Sequence, residues 1–319
     1  MRLKLVPKNT SWEFFARSKL WIGISIVLVI LSLLSFFIQS LNFGIDFRGG
    51  TSIRTESSEP IDVADYRSAL SSLDLGDITI SEVFDPNFAD DQNVAMIRIQ
   101  AQPGQEAATS TLVENSLQKL REVSEDIKFV SVESVGPKVS GELIKTAIIA
   151  VILAISAVLF YIWIRFEWQF AVGAISALIH DVILTIGIFS ALQIKFDLAI
   201  IAAILTIVGY SLNDTVVVFD RVRENLRKFK KRSLVEVMNL SINETMSRTV
   251  MTSVTTLLAL ISLFILGGDV IRGFVFDMIW WVVVGTYISI FIASAILLWT
   301  GVKRDWSKPN AEAGTQVPQ

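Results

Sequence analysis

VGYSLNDTVVVFDRVRE, residues 208–224, places Asn213 and Asp214 inside an apolar run that ends only at Phe219. The run begins after Asp197, so a straight helix of about 1.5 Å rise per residue carries Asp214 roughly 25 Å along its axis. That depth lies in the inner part of a hydrocarbon layer of about 30 Å, and the apolar run continues beyond it. A carboxylate there is costly unless it is paired, protonated or hydrated. The segment therefore predicts a functional site within a membrane-embedded helix.

The whole chain has the composition of a membrane protein, because 52% of its 319 residues are hydrophobic and only 18% are charged. Six apolar stretches are long enough to cross a bilayer: about 20–38, 143–164, 168–190, 197–219, 249–267 and 273–299. The first is too long for a signal peptide and lacks an A-x-A site, which favours an uncleaved anchor. With no Cys and one His, the chain has no thiol nucleophile, and no metal site is predicted.

Lys and Arg residues predict how the chain is oriented. Five lie in residues 1–19, seven in 220–232 and three after 302, whereas the connections 191–196 and 267–272 have one each. By the positive-inside rule both termini are cytoplasmic. The predicted division is a cytoplasmic tail (1–19), a first span (20–38), a periplasmic domain (39–142), a bundle of five further spans (143–301) and a second cytoplasmic tail (302–319).

The predicted periplasmic domain is acidic, with 18 Asp and Glu against 8 Lys and Arg between Leu41 and Glu142. Its pattern predicts strand (about 46–55), helix (61–73), strand (77–84), strand (93–101), helix (105–123) and strand (127–135). The order βαββαβ is that of the ferredoxin-like split motif, although a less specific α+β arrangement also fits. The fold class is thus a six-helix membrane protein with a ferredoxin-like α+β domain between its first and second transmembrane helices.

The fifth span carries a polar stripe on one helical face. Thr252, Thr255 and Thr256 lie four, seven and eight residues after Arg248, so all four share a face. Arg248 and Asp214 both approach from the cytoplasmic side and can sit at similar depth. If a proton displaces the arginine, the pair couples proton passage to helix movement, because one charge crossing 100 mV releases about 2.3 kcal/mol. A static ion pair between the helices is the alternative.

Three other polar positions lie in the spans. His180, near the middle of the third span, is either a proton relay or a hydrogen-bonded packing residue. Asp181 projects about 100° away from His180 on a helix. Asp277 is close to the outer interface among aromatic residues, which predicts a hydrated structural role. Gly285, with small residues at positions 289 and 293, predicts a helix-packing face.

Five segments carry a resemblance to a known family: FGIDFRGGT (43–51), SVGPKVSGEL (134–143), HDV (180–182), GYSLNDTVVVFDRVRE (209–224) and NETMSRTVMTS (243–253). They resemble, in order and spacing, the signature blocks of the SecF family of protein-export membrane proteins, over nearly all of residues 20–300. The fourth segment is also similar to the acidic fourth-helix motif of resistance-nodulation-division (RND) transporters. Trp280–Trp281, Ile288 and Asp277 depart from the family pattern and weaken only what is carried over to the sixth helix.

The resemblance implies a subunit that pairs with SecD, attaches to the SecYEG channel, is accompanied by YajC and assists export of unfolded preproteins across the bacterial inner membrane. It implies no enzyme activity and no cofactor, because the proton gradient supplies the energy. Asp214 and Arg248 match the family's proton-path residues, and Asn213 and His180 are further candidates. Membrane lipid surrounds such a protein, and no nucleic-acid partner is expected.

Gly49 and Gly50 permit a turn where the chain leaves the membrane, and Gly136–Pro137 provides a rigid re-entry. These are predicted hinge elements, although plain turn chemistry would place them there as well. Three other functions remain as alternatives. An RND-type drug or lipid exporter would need larger outer domains, a hydrolase using His180 lacks a GxSxG nucleophile motif, and a passive scaffold would make the polar stripe purely structural.

Overall fold

The computed structural model describes residues 10–73, 75–76, 78–83, 88–89, 91–100 and 110–302. In chain order its elements are α1 (Ser18–Gln39), β1 (Asn42–Phe43), α2 (Ile45–Arg48), β2 (Gly50–Ser57), α3 (Val63–Leu70), β3 (Ile78–Val83), β4 (Asn93–Gln100), α4 (Ser110–Arg121), β5 (Lys128–Val135), α5 (Pro137–Arg165), α6 (Trp168–Leu192), β6 (Lys195–Phe196), α7 (Leu198–Lys228), α8 (Leu234–Leu266) and α9 (Asp269–Thr300). Among the described residues, six helices (α1 and α5–α9) are long and apolar enough to cross a membrane.

A head domain is formed by β2–β5 with α3 and α4. Its sheet has the strand order β3-β4-β2-β5, with every neighbouring pair antiparallel. Ile53 and Ile97 of the sheet pack against Leu70 of α3 and Leu120 of α4. The predicted strand at 46–55 was wrong at its start, because Ile45–Arg48 is helical and the strand begins at Gly50. Residues 105–109 of the predicted second helix lie outside the described residues.

A clamp, defined here as residues 42–48, joins the head domain to the helix bundle. β1 pairs in parallel with β6, and Gly44 N donates to Phe196 O at 2.8 Å. Asp46 Oδ2 accepts from Leu198 N at 3.1 Å, at the first turn of α7. A Cβ on Gly44 would lie 3.2 Å from Asp197 Cβ and 3.4 Å from Phe196 O, so the two segments are in close contact at this residue. The clamp thus fixes the chain to the connection between α6 and α7.

The predicted hinge glycines have different backbone conformations. Gly49 and Gly50 follow the clamp with φ values of 73° and 128°, which side chains rarely adopt. Gly136 has φ −68° and ψ 151°, an extended conformation open to any residue, and α5 begins at Pro137. Among the predicted hinge residues, the conformational need for glycine therefore exists only at Gly49 and Gly50.

The centre of the helix bundle is α6, which packs against α1, α7 and α9. Gly187 allows the closest approach to α1, because a Cβ there would lie 2.7 Å from Ser32 Cα. Gly173 allows the closest approach to α9, since its Cβ would lie 2.9 Å from Ala293 O. By contrast α1, α5 and the second half of α8 expose most of their apolar surface. These faces are left for lipid or another protein.

The helix containing the polar stripe begins well before its predicted span of 249–267. Ser233 and Glu236 form a capping box that starts α8 at Leu234. Val237, Met238 and Ile242 of its first turns are fully buried in the core. Asn243 accepts from Trp12 N at 3.0 Å and so ties the segment preceding α1 to α8. The extra turns also contact the end of α7, where Asn225 Nδ2 donates to Ser241 Oγ at 3.0 Å.

In the head domain, Asp126 connects the end of β2 to the turn before β5. Its carboxylate accepts from Ser57 Oγ at 2.9 Å, from Ser124 Oγ at 2.6 Å, and from Ser58 N and Oγ. The hydrogen bonds from Ser124 and Ser58 are the main reason that the pKa of Asp126 lies well below its usual value. The stabilisation is therefore complete above the unfolded-state pKa of about 3.9 and is lost as the pH falls toward the folded-state value.

We predict that Asp126→Asn lowers the thermal unfolding temperature of the detergent-purified protein at pH 7. The difference from the wild type should shrink as the pH falls below about 4, because protonation removes the same interaction from the wild type. Scanning fluorimetry over a pH series measures both. Glu82→Gln, an exposed substitution on β3, is the control and should change little. A difference that is constant with pH would contradict the assignment.

Candidate functional site

A cavity of about 160 Å³ lies between α7, α8 and α9. Most of the residues that line it carry a polar group, and two of them are aromatic: Tyr210, Asn213, Asp214, Thr252, Ser253, Thr255, Thr256, Trp281, Val282, Gly285 and Thr286. The structure thus brings together the carboxylate, its neighbouring amide and all three threonines of the predicted stripe. Because the cavity lies partway along three apolar helices, it forms a polar site within the membrane-spanning part of the chain.

The described residues leave one side of the cavity open. Asn213, Thr252 and Thr255 are exposed, and Asp214 is half-buried. The hydroxyl protons of the threonines are used within their own helix: Thr252 Oγ1 donates to Arg248 O at 3.2 Å, and Thr255 Oγ1 donates to Met251 O at 2.8 Å. The outward face of the stripe therefore offers hydroxyl oxygens, which act as acceptors.

Arg248 stands one turn before Thr252 at the edge of this cavity and is exposed. It acts on the Asp214 carboxylate electrostatically. Among the described side chains the two do not form a direct ion pair. The guanidinium therefore stabilises the carboxylate charge without touching it. The space between the two groups can hold water or a proton donor. The packing of α7 and α8 brings the two groups near each other, as the sequence predicts, but no direct contact holds them together.

The sequence did not indicate the role of Asp181. Its side chain is 2% exposed, and Oδ2 accepts from Ser211 Oγ of α7 at 2.6 Å and from Trp281 Nε1 of α9 at 3.2 Å. Ser211 lies three residues before Asp214, and Trp281 lines the cavity. Asp181 is therefore directly behind the cavity wall. The available signal was an acidic residue at mid-span, but only the packed helices show which partners it meets.

His180 and Asp277 lie outside the cavity lining. His180 is buried beside Ser25 of α1, on a different face of α6 from Asp181. The expectation of a hydrated Asp277 was wrong, because Asp277 is 0% exposed and faces Thr185 of α6. The tight packing of α6 and α9 encloses it. The predicted small-residue face is also divided, since Gly285 lines the cavity and Ala293 packs on α6.

Comparison with known proteins identifies the class first. Residues 115–303 match the family model "Protein export membrane protein SecD/SecF, C-terminal", and residues 34–61 match the "SecD/SecF GG Motif". The chain is 56% identical over 315 residues to "Protein translocase subunit SecF" of Cereibacter sphaeroides, covering 99% of this chain and 97% of that protein. It is 44% identical over 298 residues to the protein of the same name from Magnetococcus marinus, with coverage of 93% and 94%.

Two solved structures have the same arrangement. The crystal structure of SecDF, a translocon-associated membrane protein from Thermus thermophilus, superimposes with a TM-score of 0.81 at 32% identity. SecDF in a "Super-membrane-facing form" gives a TM-score of 0.68 at the same identity. In both cases 94% of this chain is covered but only 40% of the SecDF chain. This chain, a six-helix membrane protein with an α+β head, belongs to the SecF family of protein translocase subunits.

We predict that the open side of the cavity is hydrated. Because the chain has no Cys, single cysteines can be introduced to test this by labelling. Thr255→Cys should react with a water-soluble maleimide when the isolated chain is in lipid vesicles, because polar oxygens on this face attract water. Ile261→Cys, on the same helix, 45% exposed and about 120° around it from Thr255, is the matched control and should stay unlabelled in the acyl chains. Equal labelling of both variants would show that the stripe is not hydrated.

Proposed function

We propose that this chain is the SecF-type subunit of a SecDF complex and uses the proton motive force to assist preprotein translocation through the SecYEG channel. YajC is a further expected component, and the bacterial inner membrane is the expected location. Membership in the SecF family and the likeness to SecDF structures support this assignment. The energy source is the proton gradient, and no bound cofactor is invoked.

The observation that carries the proposal is the open cavity holding Asp214. Exposing a half-buried carboxylate and several threonines to lipid acyl chains is energetically unfavourable. Each unsatisfied polar group in that environment costs on the order of several kcal/mol. A second set of helices that covers this face removes the cost. Because the chain matches only 40% of the SecDF chain, a complementary SecD half is the natural cover. Paired half-units with a site at their interface are a recurrent transporter design.

The orientation follows from the basic residues. Seven Lys and Arg lie in residues 220–232, at the end of the bundle opposite the head domain. The positive-inside rule places that end and both termini in the cytoplasm. The head domain, with its βαββαβ order and β3-β4-β2-β5 sheet, is then a ferredoxin-like domain in the periplasm. Asp214 lies about 24 Å from the first residue of α7, nearer the cytoplasmic side.

The mechanism follows from the loose pairing of Asp214 with Arg248. When Asp214 is ionised, the guanidinium attracts it and draws α7 and α8 together. When a proton neutralises the carboxylate, this attraction is lost and the helices can repack. Each proton that crosses 100 mV supplies about 2.3 kcal/mol, and that energy changes a two-state population by roughly 50-fold. The cycle thus converts proton passage into helix movement.

The periplasmic head is the part that meets preprotein in this proposal. β3 and β5 are the edge strands of its sheet. An extended chain can add to such an edge through backbone hydrogen bonds, with little dependence on its sequence. That mode suits a substrate class defined by being unfolded. Movement of the bundle reaches the head through the clamp at residues 42–48.

We predict that Asp214→Asn reduces proton-gradient-dependent export to the level measured without a gradient. Asparagine keeps the shape of the side chain but cannot carry a proton, so the coupling step is removed. Vesicles containing SecYEG, a SecD-type partner and either form of this chain allow export to be compared with and without the gradient.

Asp220→Asn is the matched control, because this carboxylate is on the same helix but pairs with Arg165 at the exposed end. It should retain export. Co-purification of the partner with both variants establishes that assembly is intact. If Asp214→Asn assembles normally and exports like the wild type, the chain is a passive scaffold and the proposal fails.

A further inference from the structure

Two carboxylic acids within the bundle have no part in the mechanism above. Asp181 of α6 is 2% exposed and Asp277 of α9 is 0% exposed. Of their carboxyl oxygens, only Asp181 Oδ2 accepts hydrogen bonds from the described residues. Buried carboxyl groups are normally satisfied by hydrogen-bond donors or by a cation. Two under-satisfied acids in one membrane bundle therefore suggest a ligand that is small enough to enter, such as a proton or water.

The two acids and Asp214 lie at successive levels of the bundle. Asp277 faces Thr185, one turn beyond Asp181 on α6. Trp281, one turn after Asp277 on α9, donates to Asp181. Ser211 also donates to Asp181, and Asp214 follows three residues later on α7. With about 1.5 Å per residue, each step along a helix axis is roughly 4.5–6 Å.

We propose that Asp181 and Asp277 are proton-relay residues that extend the path of Asp214 toward the head end of the bundle. The inference rests on the proposed proton-coupled function. One proton binds the Asp277 carboxylate and passes by way of the Thr185 hydroxyl to Asp181. Ser211 then accepts a proton from Asp181 and releases its own hydroxyl proton toward Asp214. Each carboxyl group returns to its starting form, so the charge and the protons balance.

The charged neighbours of these acids are consistent with a relay. On α6, His180 faces α1 beside Ser25 and points away from them. On α7 the nearest acid is Asp214, and on α8 Arg248 acts on Asp214. The ion pairs Arg165–Asp220, Arg223–Asp220, Lys195–Asp197, Arg221–Glu224, Arg221–Glu244 and Lys119–Glu122, all between described residues, do not involve Asp181 or Asp277. A carboxyl group without a paired cation can gain or lose a proton without breaking an ion pair.

A static role is the competing explanation for Asp181, because its hydrogen bonds also hold α6, α7 and α9 together. Asparagine separates the two roles. Its amide oxygen can still accept from Ser211 and Trp281, but it cannot carry a proton. A static role predicts that Asp181→Asn is tolerated, whereas a relay predicts that it is not and that Asp181→Glu partly restores activity.

The test measures proton uptake into vesicles that contain this full-length chain with a SecD-type partner, after a proton gradient is imposed. We expect Asp181→Asn and Asp277→Asn each to slow uptake by about 100-fold, the scale of a lost proton-transfer group. Asp181→Glu should recover part of the rate. Asp220→Asn should match the wild type. Ser211→Ala, a small change at a buried position, should also slow uptake if the hydroxyl relays the proton.

Each variant must elute with its partner from size-exclusion chromatography before its rate is compared. If Asp214→Asn stops uptake while folded Asp181→Asn and Asp277→Asn do not, the relay is wrong and the proposed function stands. If Asp214→Asn also leaves uptake unchanged, both fail. Infrared difference spectra of the full-length chain over a pH series add a readout that needs no partner. A carboxyl band lost in Asp181→Asn supports the relay, and identical spectra in both variants and wild type overturn it.

Discussion

Hydrocarbon offers no hydrogen bonds to polar groups, and this constraint determines how the bundle is built. Its backbone is helical throughout, and the threonine hydroxyls of α8 donate to carbonyls of their own helix. Asp181 is accommodated because Ser211 and Trp281 reach it from two neighbouring helices. The polar groups that remain uncovered are gathered on one open face. The same constraint therefore explains both the packed interior and the incomplete cavity.

The helix bundle is tightly packed around α6 and loosely packed around the second half of α8. Gly173 and Gly187 bring the backbones of α9 and α1 close to α6, so any larger side chain there would separate the helices. Asp181 and Asp277 are enclosed by this packing. The second half of α8, in contrast, has few buried residues and is held mainly at its first turns. Movement that follows a change at Asp214 is therefore easier on the α8 side than on the α6 side.

Sequence alone predicted the features that depend on one helix or on simple alternation. The threonine stripe follows from spacing along α8, and Asn213 and Asp214 interrupt an apolar run, so both were visible. The contacts of Asp181 were not, because they depend on the relative rotation of α6, α7 and α9. Asp277 was misjudged for the same reason, since its distance along the helix did not show that α6 covers it. The clamp could not be predicted, because the residues that it contacts are about 150 positions away in the sequence.

In the proposed mechanism α7 links the site to the head domain. Asp214 lies on this helix, and Asp46 of the clamp accepts from Leu198 N at its first turn. A continuous helix transmits displacement along its axis, so repacking at Asp214 moves the clamp as well. Gly49, with a positive φ value, lies between the clamp and β2, which begins at Gly50. In the proposed mechanism the hinge is at Gly49, so that the head changes its orientation while the clamp stays attached to α7.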